Sequence, residues 1–153
     1  IEEMKIAWNQ MAWDKYENEV FLKEGALDFL KYLKNNHIKT GIATSNSREL
    51  VELVLKQLSI NFYFDAIHTS CEVEKGKPAP DIYLYVAEKL NILPENCLVF
   101  EDIVQGIMAA KSAGMKVCAV ADEFSKATER KKMDMADHFI KNFYELRLEN
   151  LIF

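Results

Sequence analysis

Short apolar runs alternate with stretches in which apolar residues recur every three or four positions, and the alternation continues along most of the chain. The runs at 38–43 (IKTGIA), 64–69, 97–100 (CLVF), 116–120 (KVCAV) and 138–141 have strand length. CLVF and KVCAV are continuously apolar, as strands buried on both faces are. Helical spacing predicts helices over 48–58, 80–90, 104–113 and 125–133, a closing helical turn, and an earlier helix that presents Leu27, Leu30 and Leu33 on one face and ends near Asn35 and Asn36. The punctuation agrees with this division. Gly25 precedes the first of these helices, Asn46 or Ser47 caps the next with Glu49 three residues after Asn46, Pro80 suits a first helical turn, and Gly114 closes a helix. Strands alternating with helices of about ten residues are βαβ units, so the fold expected is α/β: a parallel sheet covered by helices on both faces, three layers in all. Residues 1–20 read as a separate amphipathic helix carrying Trp8, Trp13 and Tyr16, an aromatic stripe that suits packing as well as contact with a substrate.

With 153 residues, half of them apolar, the chain has the size of one domain plus a fragment of another. Its net charge of −5, with lysines scattered rather than clustered, argues against nucleic acid as a partner and requires any phosphate site to carry its own local positive charge. Cys71, Cys97 and Cys118 are odd in number and lack C-x-x-C spacing, which points to reduced, buried thiols in a cytoplasmic protein. No apolar run approaches membrane-spanning length and the first residues lack a signal-peptide layout, so no membrane association is expected. The three histidines, His37, His68 and His138, have no zinc-type spacing and read as structural or solvent-facing. The sequence opens at Ile1 inside a helical pattern (Met4, Ala7, Trp8, Met11), from which an upstream segment is expected.

Candidate chemistry lies where apolar runs stop. In an open parallel sheet the ligand crevice lies beyond the carboxyl ends of the strands, so side chains from separate strand ends converge on one ligand. The run 38–43 breaks off at Thr44, Ser45 and Asn46, residues that serve either as strand-to-helix turn and cap or, through the helix amides beside them, as an anion site. Lys77 lies between Gly76 and Pro78, which fix the backbone around it, and the Lys77–Pro78 bond is a candidate for the cis form; the plain alternative is a solvated surface lysine, as Lys75 is expected to be. The run 97–100 ends in Glu101 and Asp102. Adjacent acids there serve either the start of a helix or a hard cation such as Mg²⁺, which takes one or two carboxylates together with water and phosphate oxygens. Gly106, a few residues on, permits close packing of the following helix.

The order TSN (44–46), GKPAPD (76–81) and VFEDIVQG (99–106) resembles the second, third and fourth motifs of the haloacid dehalogenase superfamily, in its branch of small phosphatases and phosphomutases similar to β-phosphoglucomutase. The resemblance implies a Rossmann-like core over 21–153, with residues 1–20 as the last helix of a helical cap. It implies that Thr44 hydrogen-bonds the transferring phosphoryl group, that Lys77 neutralises it and orients the nucleophile, that Ser45 and Asn46 lie against the phosphate or the substrate, and that Glu101 and Asp102 anchor Mg²⁺. Two departures stand out. The family's first motif, an Asp-x-Asp that supplies nucleophile and acid/base, does not occur here, and Ile103 stands where the family often has Ser or Ala. In the resembling fold the first-motif strand lies between the strand ending at Thr44 and the strand ending at Glu101. Its absence would leave unpaired backbone groups, each costing roughly 1–3 kcal/mol when buried.

The function expected is therefore that of a Mg²⁺-dependent phosphohydrolase acting on a small phosphorylated metabolite through an aspartyl-phosphate, with the nucleophile on an upstream segment that also completes the sheet. The alternatives are a sugar phosphomutase similar to β-phosphoglucomutase and a non-catalytic phosphate-binding relative. A receiver-like domain places its acidic pair at the first strand, whereas here the acids come late.

Overall fold

The computed structural model describes residues 20–146. Apart from Val20, the helix expected over 1–20 lies outside the described residues, as do Trp8, Trp13 and Tyr16. The elements run in the order α1 (Ala26–Asn35), β1 (Gly41–Thr44), α2 (Arg48–Gln57), β2 (Ala66–Thr69), α3 (Asp81–Leu90), β3 (Leu98–Glu101), α4 (Val104–Ser112), β4 (Lys116–Val120), α5 (Glu129–Met135) and β5 (His138–Ile140). Short 3₁₀ turns join several of them, and the expected closing helical turn is one of these, Phe143–Glu145.

The four helices α1 to α4 end in the same way. Each chain exit is a Schellman motif, in which a residue in the left-handed region turns the backbone so that the last helical carbonyls find amide donors. His37 (φ 56°), Ser59 (φ 54°), Asn91 (φ 56°) and Gly114 (φ 78°) take that position. The next amide then reaches back to the helix: Ile38 to Leu33 at 2.9 Å, Ile60 to Leu55 at 3.0 Å, Ile92 to Ala87 at 3.0 Å and Met115 to Ala110 at 3.1 Å. This explains why β1 begins at Gly41 rather than at residue 38. Ile38 is spent on the helix exit, and Thr40 is held by the approach to β2, its amide on Asp65 Oδ2 (2.9 Å) and its hydroxyl on the Tyr63 carbonyl (2.5 Å).

Other boundaries move for local reasons. Ser47, not Asn46, caps α2, its Oγ accepting from the Leu50 amide at 3.4 Å. The helix expected over 125–133 divides into a 3₁₀ stretch, Glu123–Thr128, with a kink at Ser125, followed by α5. In α1 the buried residues are Phe29 and Leu33, whereas Leu27 is exposed, so the apolar face sits one step round from the one expected.

All strand pairs are parallel, but the strands form two separate sheets, β1–β2 and β3–β4–β5. Alternate residues of one strand enter different clusters. Val117 and Ala119 of β4 pack with Ile82, Ile107 and Ala110, while Cys118 and Val120 pack with Ile140 on the opposite side. In β1, Ala43 packs toward α3 and α4, and Ile42 toward Val51 and Leu55 of α2. That two-residue period with both faces covered is the expected layering of an α/β Rossmann-like fold. Between β1 and β3 lies an apolar cavity of about 490 Å³, lined by Ile42, Ala43, Val99, Phe100, Phe29 and Tyr83 among others. β1 and β3 are each paired on one side only, and side chains of both line this cavity.

This division predicts a gradient in backbone protection. The amides of β4, which is paired on both sides, are expected to exchange with solvent at least about tenfold more slowly than those of β1 and β3, each paired on one side, as measured by hydrogen exchange.

Candidate active site

The carboxyl ends of the strands supply the polar groups. Thr44 and Thr69 end β1 and β2 in register. The Thr44 hydroxyl accepts from the Asn46 amide at 3.1 Å, which turns the chain sharply into α2 and leaves Ser45 and Asn46 exposed on the rim. Ser70 Oγ donates to the Thr44 carbonyl at 3.2 Å, and a Cβ built on Gly76 would meet Ser70 Cβ at 3.6 Å, so the loop carrying Lys77 passes directly beside the end of β1.

From that loop, across a cis Lys77–Pro78 bond, the Lys77 ammonium donates to Glu101 Oε1 at the end of β3. The two side chains are only 8% and 9% exposed. Tyr83 of α3 donates its hydroxyl to the same oxygen, and the Lys77 ammonium lies 4.9 Å from the centre of the Tyr83 ring. Burial, then the charge and hydrogen bond of Glu101, drive the Tyr83 phenol well above its ordinary pKa, so it serves as a donor. Gly106 is required by this carboxylate: a Cβ there would collide with Glu101 Cδ.

Asp102 is placed differently. Its side chain is 40% exposed, and Lys23 Nζ stands 3.8 Å from Oδ2. Burial and then the neighbouring Glu101 charge raise its pKa, against the pull of Lys23. Lys23 also reaches Asp122 Oδ2 (2.5 Å) and the Ala121 carbonyl (3.1 Å), just beyond β4. Burial pushes the Asp122 carboxyl up, but the Lys23 bond, the Phe124 amide and the charges of Lys23 and Lys132 outweigh it and hold the group below its ordinary value. Beneath this rim Lys132 is fully buried. Its three N–H donors meet the Asp102 carbonyl (3.0 Å), the Val120 carbonyl (3.2 Å) and Ser125 Oγ (2.7 Å), and Ser125 in turn donates to the Asp102 carbonyl at 2.7 Å.

The structure thus links Thr44, through Ser70 and the Gly76 loop, to Lys77, Glu101 and Asp102. Ser45 and Asn46 remain on the turn after β1. Sequence reasoning missed Tyr83, Lys23, Asp122, Ser125 and Lys132. Asp122 follows an apolar run just as Glu101 does and was accessible to the same rule, whereas Lys132 sits inside the polar stretch ERKKMD and carries no signal.

The donor set suits a hard cation that keeps water and phosphate among its ligands. Among the described residues no group of three or more His, Cys, Asp or Glu side chains forms a cage, and Mg²⁺ does not need one. Of the two acids expected to hold it, Asp102 has an open side, while Glu101 is engaged by Lys77 and Tyr83.

The haloacid dehalogenase-like hydrolase family model matches residues 1–120, and the chain belongs to that family. It is 45% identical over 98 residues to a phosphorylated carbohydrates phosphatase of Thermotoga maritima, a match covering 62% of this chain and 45% of that protein. Among solved structures, a haloacid dehalogenase-type hydrolase of Entamoeba histolytica superposes with a TM-score of 0.82 at 28% identity, over 97% of this chain and 67% of that one. The β-phosphoglucomutase of Clostridium difficile superposes with a TM-score of 0.76 at 28% identity, over 97% and 61%. The chain spans about half the length of the curated relatives it matches.

Replacing Lys77 by Met is expected to destabilise the fold by about 3–5 kcal/mol, because the Glu101 carboxylate is then buried without its cation. Adding Glu101→Gln should recover much of that loss, as read by urea unfolding. A second charge cluster ends β2: Glu72 accepts from His68 Nδ1 (2.6 Å), Arg48 (2.6 Å) and the Thr69 amide (3.0 Å). The His68 bond, then the Thr69 amide, lower its pKa from 4.5 to about 2. A depressed carboxylate stabilises the fold above its unfolded pKa, and that contribution is lost as pH falls through the folded value. Stability is therefore expected to drop between pH 4.5 and about 2, and Glu72→Gln should flatten that part of an acid-unfolding curve.

Proposed function

We propose that the intact protein is a Mg²⁺-dependent phosphohydrolase acting on a small phosphorylated metabolite, a phosphorylated carbohydrate in the first instance. The observation that carries this reading is that Thr44, Glu101 and Asp102 stand at the carboxyl ends of parallel strands, with Lys77 bonded to Glu101 from a loop that passes beside the end of β1. The resemblance of the chain to a phosphorylated carbohydrates phosphatase supports the substrate class.

In this reading Thr44 keeps its O–H to donate to a phosphoryl oxygen, while Ser45 and Asn46 face the phosphate or the sugar from the rim. Lys77, fixed by Glu101 and Tyr83, places its positive charge where the phosphoryl oxygens and an attacking carboxylate meet. Asp102, with Glu101 beside it, holds Mg²⁺, which when bound polarises the phosphoryl group. The nucleophile is an aspartate at the end of an upstream strand lying between β1 and β3, a placement supported by the apolar cavity there and the strand edges on either side. Its carboxylate oxygen bonds to phosphorus as the P–O ester bond breaks, and the leaving oxygen takes a proton from the second aspartate of the Asp-x-Asp motif on that segment. Water then cleaves the aspartyl-phosphate to free phosphate. Residues 1–20 belong, in the same reading, to a helical cap and 21–153 to the core. The free thiols of Cys71, Cys97 and Cys118 support a reducing, cytoplasmic setting, although of the three only Cys118 is buried as expected, Cys97 being half-buried and Cys71 exposed on the turn after β2.

A second reading, passage of the phosphoryl group back to a sugar, is favoured by the similarity to β-phosphoglucomutase. In the intact protein, Asp102→Asn is expected to lower Mg²⁺-dependent turnover by about a hundredfold or more. Phosphate release from a generic ester and isomerisation of a hexose phosphate, followed side by side, assign the reaction, and unchanged turnover in both would remove Asp102 from the site.

A further inference from the structure

Lys23, three residues before α1, reaches the acidic rim from a fixed backbone. The Ala26 amide donates to the Lys23 carbonyl at 3.0 Å, and the Phe143 amide donates to the Glu24 carbonyl at 2.9 Å. Its ammonium stands between two carboxylates from separate strand ends, at 2.5 Å from Asp122 Oδ2 and 3.8 Å from Asp102 Oδ2. We propose that Lys23 is a positioning residue for this carboxylate pair and the built-in competitor of the divalent cation: its ammonium holds Asp102 and Asp122 while no cation is bound and gives them up when one binds. The proposal rests on the reading of Asp102 as a cation ligand.

Two observations make Lys23 the group that yields. With 32% of its side chain exposed, it has a path into solvent that leaves the anchored backbone in place. Lys132, the other ammonium near these acids, is fully buried, and its three N–H donors meet two backbone carbonyls and a hydroxyl, so it stays to fix the turn that presents Asp102. An ammonium and a divalent cation sharing one carboxylate repel each other, so the presence of Lys23 must weaken cation binding. A role confined to stability would not raise the affinity when Lys23 is removed.

The test titrates MgCl₂ at constant ionic strength into the intact protein and its variants, followed by calorimetry and by the shift in melting temperature. Lys23→Met and Lys23→Gln are expected to bind Mg²⁺ about tenfold more tightly than the parent, Lys23→Arg to stay near the parent, and Lys23→Met to melt lower than the parent without divalent cation. Asp102→Asn is the control for the underlying reading. If it weakens Mg²⁺ binding while Lys23→Met and Lys23→Gln, folded by circular dichroism, bind no more tightly than the parent, the role of Lys23 is overturned and that of Asp102 stands. If Asp102→Asn binds as the parent does, or no variant binds saturably, both fall.

Discussion

The buried pair of Lys77 and Glu101 joins the two halves of this molecule. Lys77 comes from the loop between β2 and α3, Glu101 from the end of β3, and these strands belong to different sheets. Taking either charge out of water costs several kcal/mol, and mutual attraction repays that only where further hydrogen bonds complete the geometry. Tyr83 supplies one of them, and the bare backbone at Gly106 supplies the space. The pair therefore depends on α3 and α4 being seated correctly, and it in turn sets how far apart the two sheets stand at the end where the candidate chemistry lies.

The separation of the sheets follows from the same arrangement. β1 and β3 each have a neighbour on one side, and apolar side chains from both line the cavity between them. The helices bridge what the strands do not: Tyr83 and Ala87 of α3 and Ile107 and Ala110 of α4 share one cluster with Ala43 of β1 and Val99 of β3. Packing between layers thus holds the halves in register without a continuous ladder of backbone hydrogen bonds. The polar ends of the strands are free to be organised by side chains, Ser70 on one side and Lys132 on the other.

Much of this was legible in the chain because strands and helices differ in period, and because a strand that stops at a polar residue places that residue on the rim. Thr44, Glu101 and Asp102 were singled out by that rule, and Lys77 by the Gly76 and Pro78 that flank it. Among the helix exits only the one at Gly114 was marked by a glycine, since His37, Ser59 and Asn91 take the left-handed conformation without being glycine, although Asn35 and Asn36 did mark the end of α1. Tyr83 was hidden because one turn of α3 carries Ile82, Tyr83 and Tyr85 in an apolar run, and the partner of the hydroxyl lies on a strand 18 residues away. Lys132 was hidden for the opposite reason: among the charged residues of ERKKMD nothing in the sequence tells which one turns inward.

The lysines also explain how so acidic a rim can exist at all. Glu101, Asp102 and Asp122 bring three carboxylates to neighbouring strand ends; Lys77 and Lys23 meet them directly, and Lys132, bonded to carbonyls and Ser125, adds a third positive charge from beneath. These positive charges offset the carboxylates, which is what burial of the acids requires. In the proposed reading, a phosphate monoester arriving with close to two negative charges upsets that balance. Within the proposed reading a divalent cation restores it, and the ammonium best placed to leave is the one with a path to solvent. Lys77 cannot be that group, because withdrawing it would strand Glu101 in the interior. Lys132 cannot be either, because its carbonyl acceptors hold the turn that carries Asp102. The burial of two lysines and the exposure of the third thus assign the fixed and the exchangeable charges of the site.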